Sequence, residues 1–326
     1  MIFRKNSEKN KQGETMKNII LGMLIFVSTT VAWASENVYK YEDTKIKDGI
    51  WYEKGTNIKL NGISKEYYES GVLKVERNYK DGKLNGISKE YYDGALVAER
   101  NYKDGKQNGI TKGYYESGAL WFEDNWKDDT LNISKVYYES GALAAERNFK
   151  DDTLNGINKE YFESGALKAE RNHKDDKLNV IQKEYYESGA LAAERNFKDG
   201  KLNGISKEYY ESGVLKGEWN YRDDKLNGIT KGYYESGALE IEGNYKDGKQ
   251  NGITKGYYES GALWFEDNYK DDKLKGISKG YYESGALYFE VTIKDGKAIS
   301  GTLYKENGKK ERKMTNADFT QQGFEY

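Results

Sequence analysis

N-G-I-S-K-E-Y-Y-E-S-G-V-L-K-V-E-R-N-Y-K-D-G-K-L, residues 61–84, decides how the rest of the chain is read. Ser70-Gly71 and Asp81-Gly82 punctuate it, and the runs between them alternate with a period of two. X-Gly pairs between alternating runs favour two-residue hairpin turns, whose twist suits β-strands. The frequent Gly and the period of two exclude a helix. With Ser70-Gly71 as the loop, Tyr68 faces Leu73, Glu66 faces Val75 and Lys65 faces Glu76. Leu73, Val75, Arg77 and Tyr79 then share one face, and Ile63, Lys65, Tyr67, Lys74, Glu76 and Asn78 share the other.

Working outward, the Tyr pair recurs at Tyr67, Tyr91, Tyr114, Tyr137, Tyr161, Tyr185, Tyr209, Tyr233, Tyr257 and Tyr281, in steps of 24 or 23 residues. These ten copies are numbered 1 to 10 in chain order. Self-similarity at this period marks a repeat architecture. The expected fold is all-β, an elongated single-layer antiparallel meander of about ten 24-residue hairpins, twisted or curled because a long uncovered sheet must coil. Copy 2 loses a residue at its first turn (Asp93-Gly94), and copy 4 lacks the Gly after Asn132. Five copies carry Asp-Asp at the second turn, beginning at Asp128, Asp151, Asp175, Asp223 and Asp271.

The expected organisation is a signal peptide over residues 1–34, a degenerate leading repeat or cap over 35–60, ten hairpins over 61–296, a partial last repeat or cap over 297–313, and a tail over 314–326 without repeat signal or fixed structure. The signal-peptide reading rests on Lys17, the apolar run Ile19–Val31 and Ala32-Trp33-Ala34, with cleavage expected after Ala34. Met16 is an alternative start. At 13 residues the apolar run is short for a spanning helix, which needs roughly 20. Localisation is therefore expected in the periplasm, at the cell surface or outside the cell.

Composition excludes much chemistry. The 326 residues include no Cys, no Pro and a single His, so cysteine nucleophiles, thiolate clusters and multi-histidine metal sites are absent. With 52 Lys plus Arg against 54 Asp plus Glu, the net charge of −2 gives no field to draw nucleic acid or an anionic membrane. Mean hydropathy is −0.97, which argues against a membrane bundle. His173 falls in the slot that Tyr79 and Tyr102 hold elsewhere, so it reads as packing. The Asp-Asp turns read as turn chemistry, because two carboxylates fall short of the six to eight oxygens that Ca²⁺ takes. Asn132-Ile133-Ser134 matches a glycosylation sequon, and no Gly-rich turn opens a helix to hold phosphate. No enzyme activity, cofactor, metal or small-molecule substrate is expected.

Lys65 and Glu76 recur in every copy, Lys207 and Glu218 among them, and read as structural cross-strand pairs. The aromatic rows carry the binding potential, because Tyr and Trp offer rigid area with a polar tip. Candidate partner-binding residues are Tyr67, Tyr91, Tyr114 and Tyr257 of the first Tyr row, with Trp121-Phe122 and Trp264-Phe265, where other copies carry Lys-Val or Ala-Ala.

Y-Y-E-S-G-A-L followed by E-R-N-Y-K-D-G-K-L-N-G resembles the MORN repeat variant of the MORN_2 type, the repeat also found in bacterial YwqK-type antitoxin-like proteins. The resemblance spans residues 45–310. It implies an all-β hairpin array serving as a protein or lipid interaction surface, with no catalytic residues to carry over. Trp is sporadic where lipid-kinase MORN repeats keep a Tyr-x-Gly-x-Trp core, so lipid binding is the weaker expectation. The leading expectation is an exported, non-enzymatic repeat protein that presents a Tyr-rich surface to a protein partner. A YwqK-type antitoxin neutralising a partner toxin is the alternative, and oligomeric state stays open.

Overall fold

The structure, a computed structural model, describes residues 37–325, so the expected signal peptide lies outside the described residues. The regular structure of the described chain is nearly all β. Thirty short strands form one sheet, a meander that does not close into a barrel. Within copy 1, Gly62–Tyr67 pairs antiparallel with Leu73–Lys80, and the pattern repeats down the chain. One pairing is parallel, Val38–Lys40 beside Ile63–Lys65, which makes the sheet mixed.

The two turns of each hairpin unit are built differently. At the second, Asp81 (φ 53°) and Gly82 (φ 77°) are both left-handed and Lys80 faces Lys83, the two-residue turn that the sequence predicts. Asp-Asp copies take the same turn, with Asp128 at φ 50° and Asp129 at φ 70°. The strain of a second side chain at positive φ is offset by a bond that Gly cannot accept. The backbone N–H of Gln107 donates to Asp129 Oδ1 at 2.7 Å, and Leu202 and Gln250 do the same to Asp224 and Asp272.

The first turn departs from the expected two-residue loop. Tyr68 N–H donates to the Val72 carbonyl, Gly71 N–H donates to the Tyr68 carbonyl, both at 2.9 Å, and only Gly71 is left-handed, at φ 83°. A two-residue turn of matching twist would put Ser70 at positive φ as well, which its Cβ opposes. The chain instead uses a three-residue loop with Gly in the left-handed position and a bulge beside it. Tyr67, not Tyr68, therefore faces Leu73, while Lys65–Glu76 and Glu66–Val75 pair as read. Copy 2, one residue shorter, makes the two-residue turn: Asp93 (φ 48°) and Gly94 (φ 83°) bring Tyr92 opposite Ala95.

Neighbouring copies are tied at both edges. At the second-turn edge, Gly105 N–H donates to the Leu84 carbonyl and Gly248 N–H to the Leu226 carbonyl, both at 2.8 Å. At the first-turn edge the second Tyr of the pair clips the next copy in eight of the ten copies, copy 5 having Phe162 there. Tyr68 Oη donates to the Tyr91 carbonyl at 3.0 Å, and Tyr186 and Tyr258 reach those of Tyr209 and Tyr281 at 2.8 Å. Net, such a bond contributes about 0.5–1.5 kcal/mol, and its recurrence fixes each copy on its neighbour. Between the edges the Asn-Gly step forms a bulge, closed by Asn85 N–H on the Asn78 carbonyl at 2.9 Å. Bulges add twist, so this step is where the sheet coils.

Apolar packing is concentrated at the ends. The leading segment, expected as a degenerate repeat, keeps only a turn at Asp48-Gly49. Its strands Thr44–Lys47 and Ile50–Glu53 form a separate two-stranded sheet. Trp51 from this hairpin lies 5.8 Å from the Tyr79 ring, and Leu60 is fully buried. At the other end the tail, expected without structure, forms helix α1 (Asn316–Gln321). Thr315 and Asp318 make a reciprocal capping box, and Arg312 forks onto Asp318 at 2.5 and 2.8 Å. Phe319 and Phe324 pack with Phe289, Val291, Ile293 and Leu303 in the one cluster of buried apolar residues found among the described residues. A six-residue helix has no periodicity to read. Its legible trace was Thr315-x-x-Asp318 ahead of Phe319.

Candidate functional site

One face of the sheet is a charge ladder. Lys65 faces Glu76, Glu76 faces Lys89 of copy 2, Lys89 faces Glu99, and the alternation continues across every copy to Glu290. Eight of these facing pairs form ion pairs, from 3.2 Å at Lys65–Glu76 to 3.8 Å at Lys207–Glu218. Such partly exposed pairs contribute about 0.2–1 kcal/mol each, and their main effect is to hold register. The first Tyr row flanks the ladder. Tyr114, Tyr137 and Tyr257 donate to Glu99, Glu123 and Glu242 of the preceding copy, each at 3.0 Å. Burial, then the adjacent carboxylate, pushes these three phenols up to about 12. Tyr91 is half-buried in the same row, and Tyr67, at the open end, is 49% exposed.

On the other flank runs a row of isoleucines. Ile87, Ile110, Ile133, Ile157, Ile181, Ile205, Ile229, Ile253 and Ile277 are between 36% and 55% exposed. With two strands per copy, neighbours in this row lie about 10 Å apart. The sequence reading placed Ile63 on this face without singling the row out. Alternation alone says which face a residue occupies, not whether anything covers it.

The opposite face was expected to be the apolar one, yet in most copies it is small and polar. Ala145, Ala169 and Ala193 are buried beside Glu–Arg pairs such as Arg171–Glu160 at 2.5 Å and Arg195–Glu184 at 2.7 Å. Copies 3 and 9 differ through a compensated exchange. Gly113 stands where Glu66 stands in copy 1, and the Phe122 ring of the facing strand lies over it, where any Cβ would collide. Gly256 and Phe265 repeat the arrangement. Without the Glu, the paired Arg is lost too, and Asp124 and Asp267 take its place. Trp121 (48% exposed) and Trp264 (51%) stand beside these Phe rings at 5.2 Å and 77° in both copies. The structure thus places the eight candidate binding residues on two faces, the Tyr row on the ladder face and the Trp-Phe pairs on the other.

Around these two stations the sequence identity is wider: residues 101–125 and 244–268 are the same 25 amino acids. His173 stays in its packing row, its Nδ1 2.9 Å from Asn158 Nδ2, and burial holds its pKa below the usual value. Among the described residues no group of three or more His, Asp or Glu side chains converges as a metal site requires, and no helix is long and apolar enough to cross a membrane.

The MORN_2 family, MORN repeat variant, matches residues 60–81, 107–128, 132–151, 154–175, 178–199, 202–223, 226–247, 250–271 and 274–295. The chain belongs to the MORN repeat variant family. Copy 2, whose first turn is one residue short, is the hairpin of this MORN array that falls outside the matched segments. MORN repeats of this kind are consistent with a repeat-based role in protein or lipid interaction. None of the curated proteins matches this MORN chain's sequence. Among solved structures, the crystal structure of TcdB2-TccC3 overlaps 73% of this chain and 16% of its own at 14% identity and a TM-score of 0.17. The TcdB2-TccC3-Cdc42 structure overlaps 83% and 18% at 11% and 0.19. The Photorhabdus luminescens Tc holotoxin pore with the TccC3-D651A mutation overlaps 87% and 20% at 12% and 0.15. The MORN chain thus spans a fifth or less of these chains, and overlaps this weak define neither its fold nor its function.

Proposed function

We propose that this chain is an exported, non-enzymatic scaffold whose charge-ladder face docks a protein partner along several consecutive hairpins. The observation that carries this is the exposed isoleucine row. Each copy from the second onward leaves one large aliphatic side chain open at the same place, beside a ladder in which every Lys faces a Glu. Exposed apolar surface organised into a line marks an interaction site more than scattered single residues do. A face with balanced charge supplies no counterion release for nucleic acid and no pull toward anionic lipid, which leaves a protein as the fitting partner. Export rests on the basic, apolar and A-x-A pattern of residues 17–34.

The test exchanges Ile157, Ile181, Ile205 and Ile229 together for Thr, which keeps β-branching and removes the apolar tip. A partner captured from cell-envelope extract by the wild-type chain and identified by mass spectrometry should bind the fourfold variant at least tenfold more weakly, with an unchanged far-UV spectrum. Equal affinity for both proteins contradicts the reading. Fractionation with N-terminal sequencing tests export: a processed chain beginning at Ser35 is expected, and an unprocessed cytoplasmic chain contradicts it.

A further inference from the structure

The cleft between copies 9 and 10 and the C-terminal cap differs in kind from the ladder face, and its chemistry is independent of any partner docked there. It encloses about 480 Å³, within the range of small-molecule sites. Trp264, Phe265, Tyr282, Tyr288, Phe289 and Phe324 line it. Phe289 and Phe324 meet edge-on at 5.8 Å, and Tyr282 and Tyr288 lie 4.9 Å apart. Among the described residues one carboxylate, that of Asp267, lines the cleft, and no Lys, Arg or His does. Asp267 accepts a hydrogen bond from Ser278 Oγ, and burial holds its carboxyl above the usual range.

Copy 3 explains why that carboxylate is without a cation. There the corresponding row across the sheet is Asp124, Ser134, Arg147, and the Arg147 guanidinium favours the ionised Asp124. At the cap the row is Asp267, Ser278, Val291, and Val291 is fully buried. The chain supplies a cation to the first carboxylate and replaces it with an isopropyl group at the second, while adding aromatic rings around the space. Aromatic faces attract cations, and a partly desolvated carboxylate adds direct Coulomb attraction. The rings offer apolar contact to the alkyl groups of a substituted ammonium, which a bare lysine ammonium lacks, so an alkylated cation fits the lining better. With no basic residue in the lining among the described residues, an anionic ligand has no cationic partner there.

We propose that this cleft binds a small organic cation, a quaternary or alkylated ammonium group, between the aromatic rings and Asp267. The composition gave no sign of a small-molecule substrate, and this is a binding site without a reaction. The test titrates the full chain with choline and with its neutral isostere 3,3-dimethylbutan-1-ol, read by Trp fluorescence and calorimetry. Saturable choline binding is expected, with the alcohol at least about tenfold weaker. Asp267→Asn and Trp264→Leu should each weaken choline by at least about tenfold at unchanged circular dichroism, while Trp121→Leu leaves it unchanged. Binding should also weaken as pH falls and Asp267 takes up its proton. Co-sedimentation with phosphatidylcholine vesicles, lost in Asp267→Asn, would assign the ammonium to a lipid headgroup; choline binding without co-sedimentation would assign a free ligand. No saturable choline binding, equal binding of the neutral alcohol, or full binding by Asp267→Asn would overturn the proposal.

Discussion

Residues 101–125 and 244–268 have one sequence and two surroundings. Within the stretch the structure repeats closely. Tyr115–Trp121 and Tyr258–Trp264 are both 6.1 Å apart, at 45° and 46°, and the Trp–Phe pairs are alike. Beyond it they diverge. Copy 4 sets Val136, Ala145 and Arg147 against the first stretch, whereas copy 10 and the segment after α1 set Gly280, Phe289, Val291 and Phe324 about the second. In an array held by nearest-neighbour contacts, a unit's own sequence sets its shape and the next unit sets its chemistry.

The largest expected effect breaks one side of this comparison. Phe319→Ala removes a buried ring from the cap and should cost about 3–5 kcal/mol in that region. Differential proteolysis should then release the segment after Asp272 and leave copies 1 to 6 resistant. Next come the paired exchanges Gly113→Ala and Gly256→Ala, each pressing a Cβ into a Phe ring. Overpacking of this kind costs about 1–3 kcal/mol, and denaturant melts should give closely similar losses, because the collision is internal to the shared sequence.

Alkaline titration tests the same equivalence. Tyr114 and Tyr257 are each raised to about 12 by burial and then by a carboxylate, with Tyr79 and Tyr137 alongside. A phenol whose folded value exceeds its unfolded value near 10 stabilises the fold below pH 10. That contribution is lost as pH rises from about 10 to about 12, so the melting temperature should fall across that window. Tyr114→Phe and Tyr257→Phe should shrink the high-pH part of the phenolate absorbance change by equal amounts. The smallest effect is a gain. Val180, between the two stretches, sits at φ 71° where most copies carry Gly. A β-branched residue is strained there, so Val180→Gly should add about 1 kcal/mol and leave both stretches as they were.

The hairpins and the Lys65–Glu76 register were legible because alternation and X-Gly turns are local signals. The first-turn register was not, because it depends on whether Ser70 tolerates positive φ. The cap was hidden for a different reason: Phe319 and Phe324 acquire meaning only from contacts with Phe289 and Leu303, which no period announces. The aromatic stations at Trp121 and Trp264 showed as breaks in the repeat. What separates them, Arg147 against Val291, lies one copy further on, in a position that reads as ordinary variation until the strands are laid side by side. The isoleucine row was visible as a pattern, but its exposure is a property of the folded sheet.

Hydrogen exchange measures the central claim most directly, because identical sequences have identical intrinsic amide rates. Any difference in protection between residues 101–125 and 244–268 therefore reports their neighbours alone. Flanking Arg100 and Trp126 against Gly243 and Tyr269 distinguish the two peptides by mass. In Phe319→Ala, protection of 263–268 should fall while that of 120–125 stays at its wild-type value. Equal loss in both, or no loss in either, would contradict an array in which the adjoining unit decides what a shared sequence becomes.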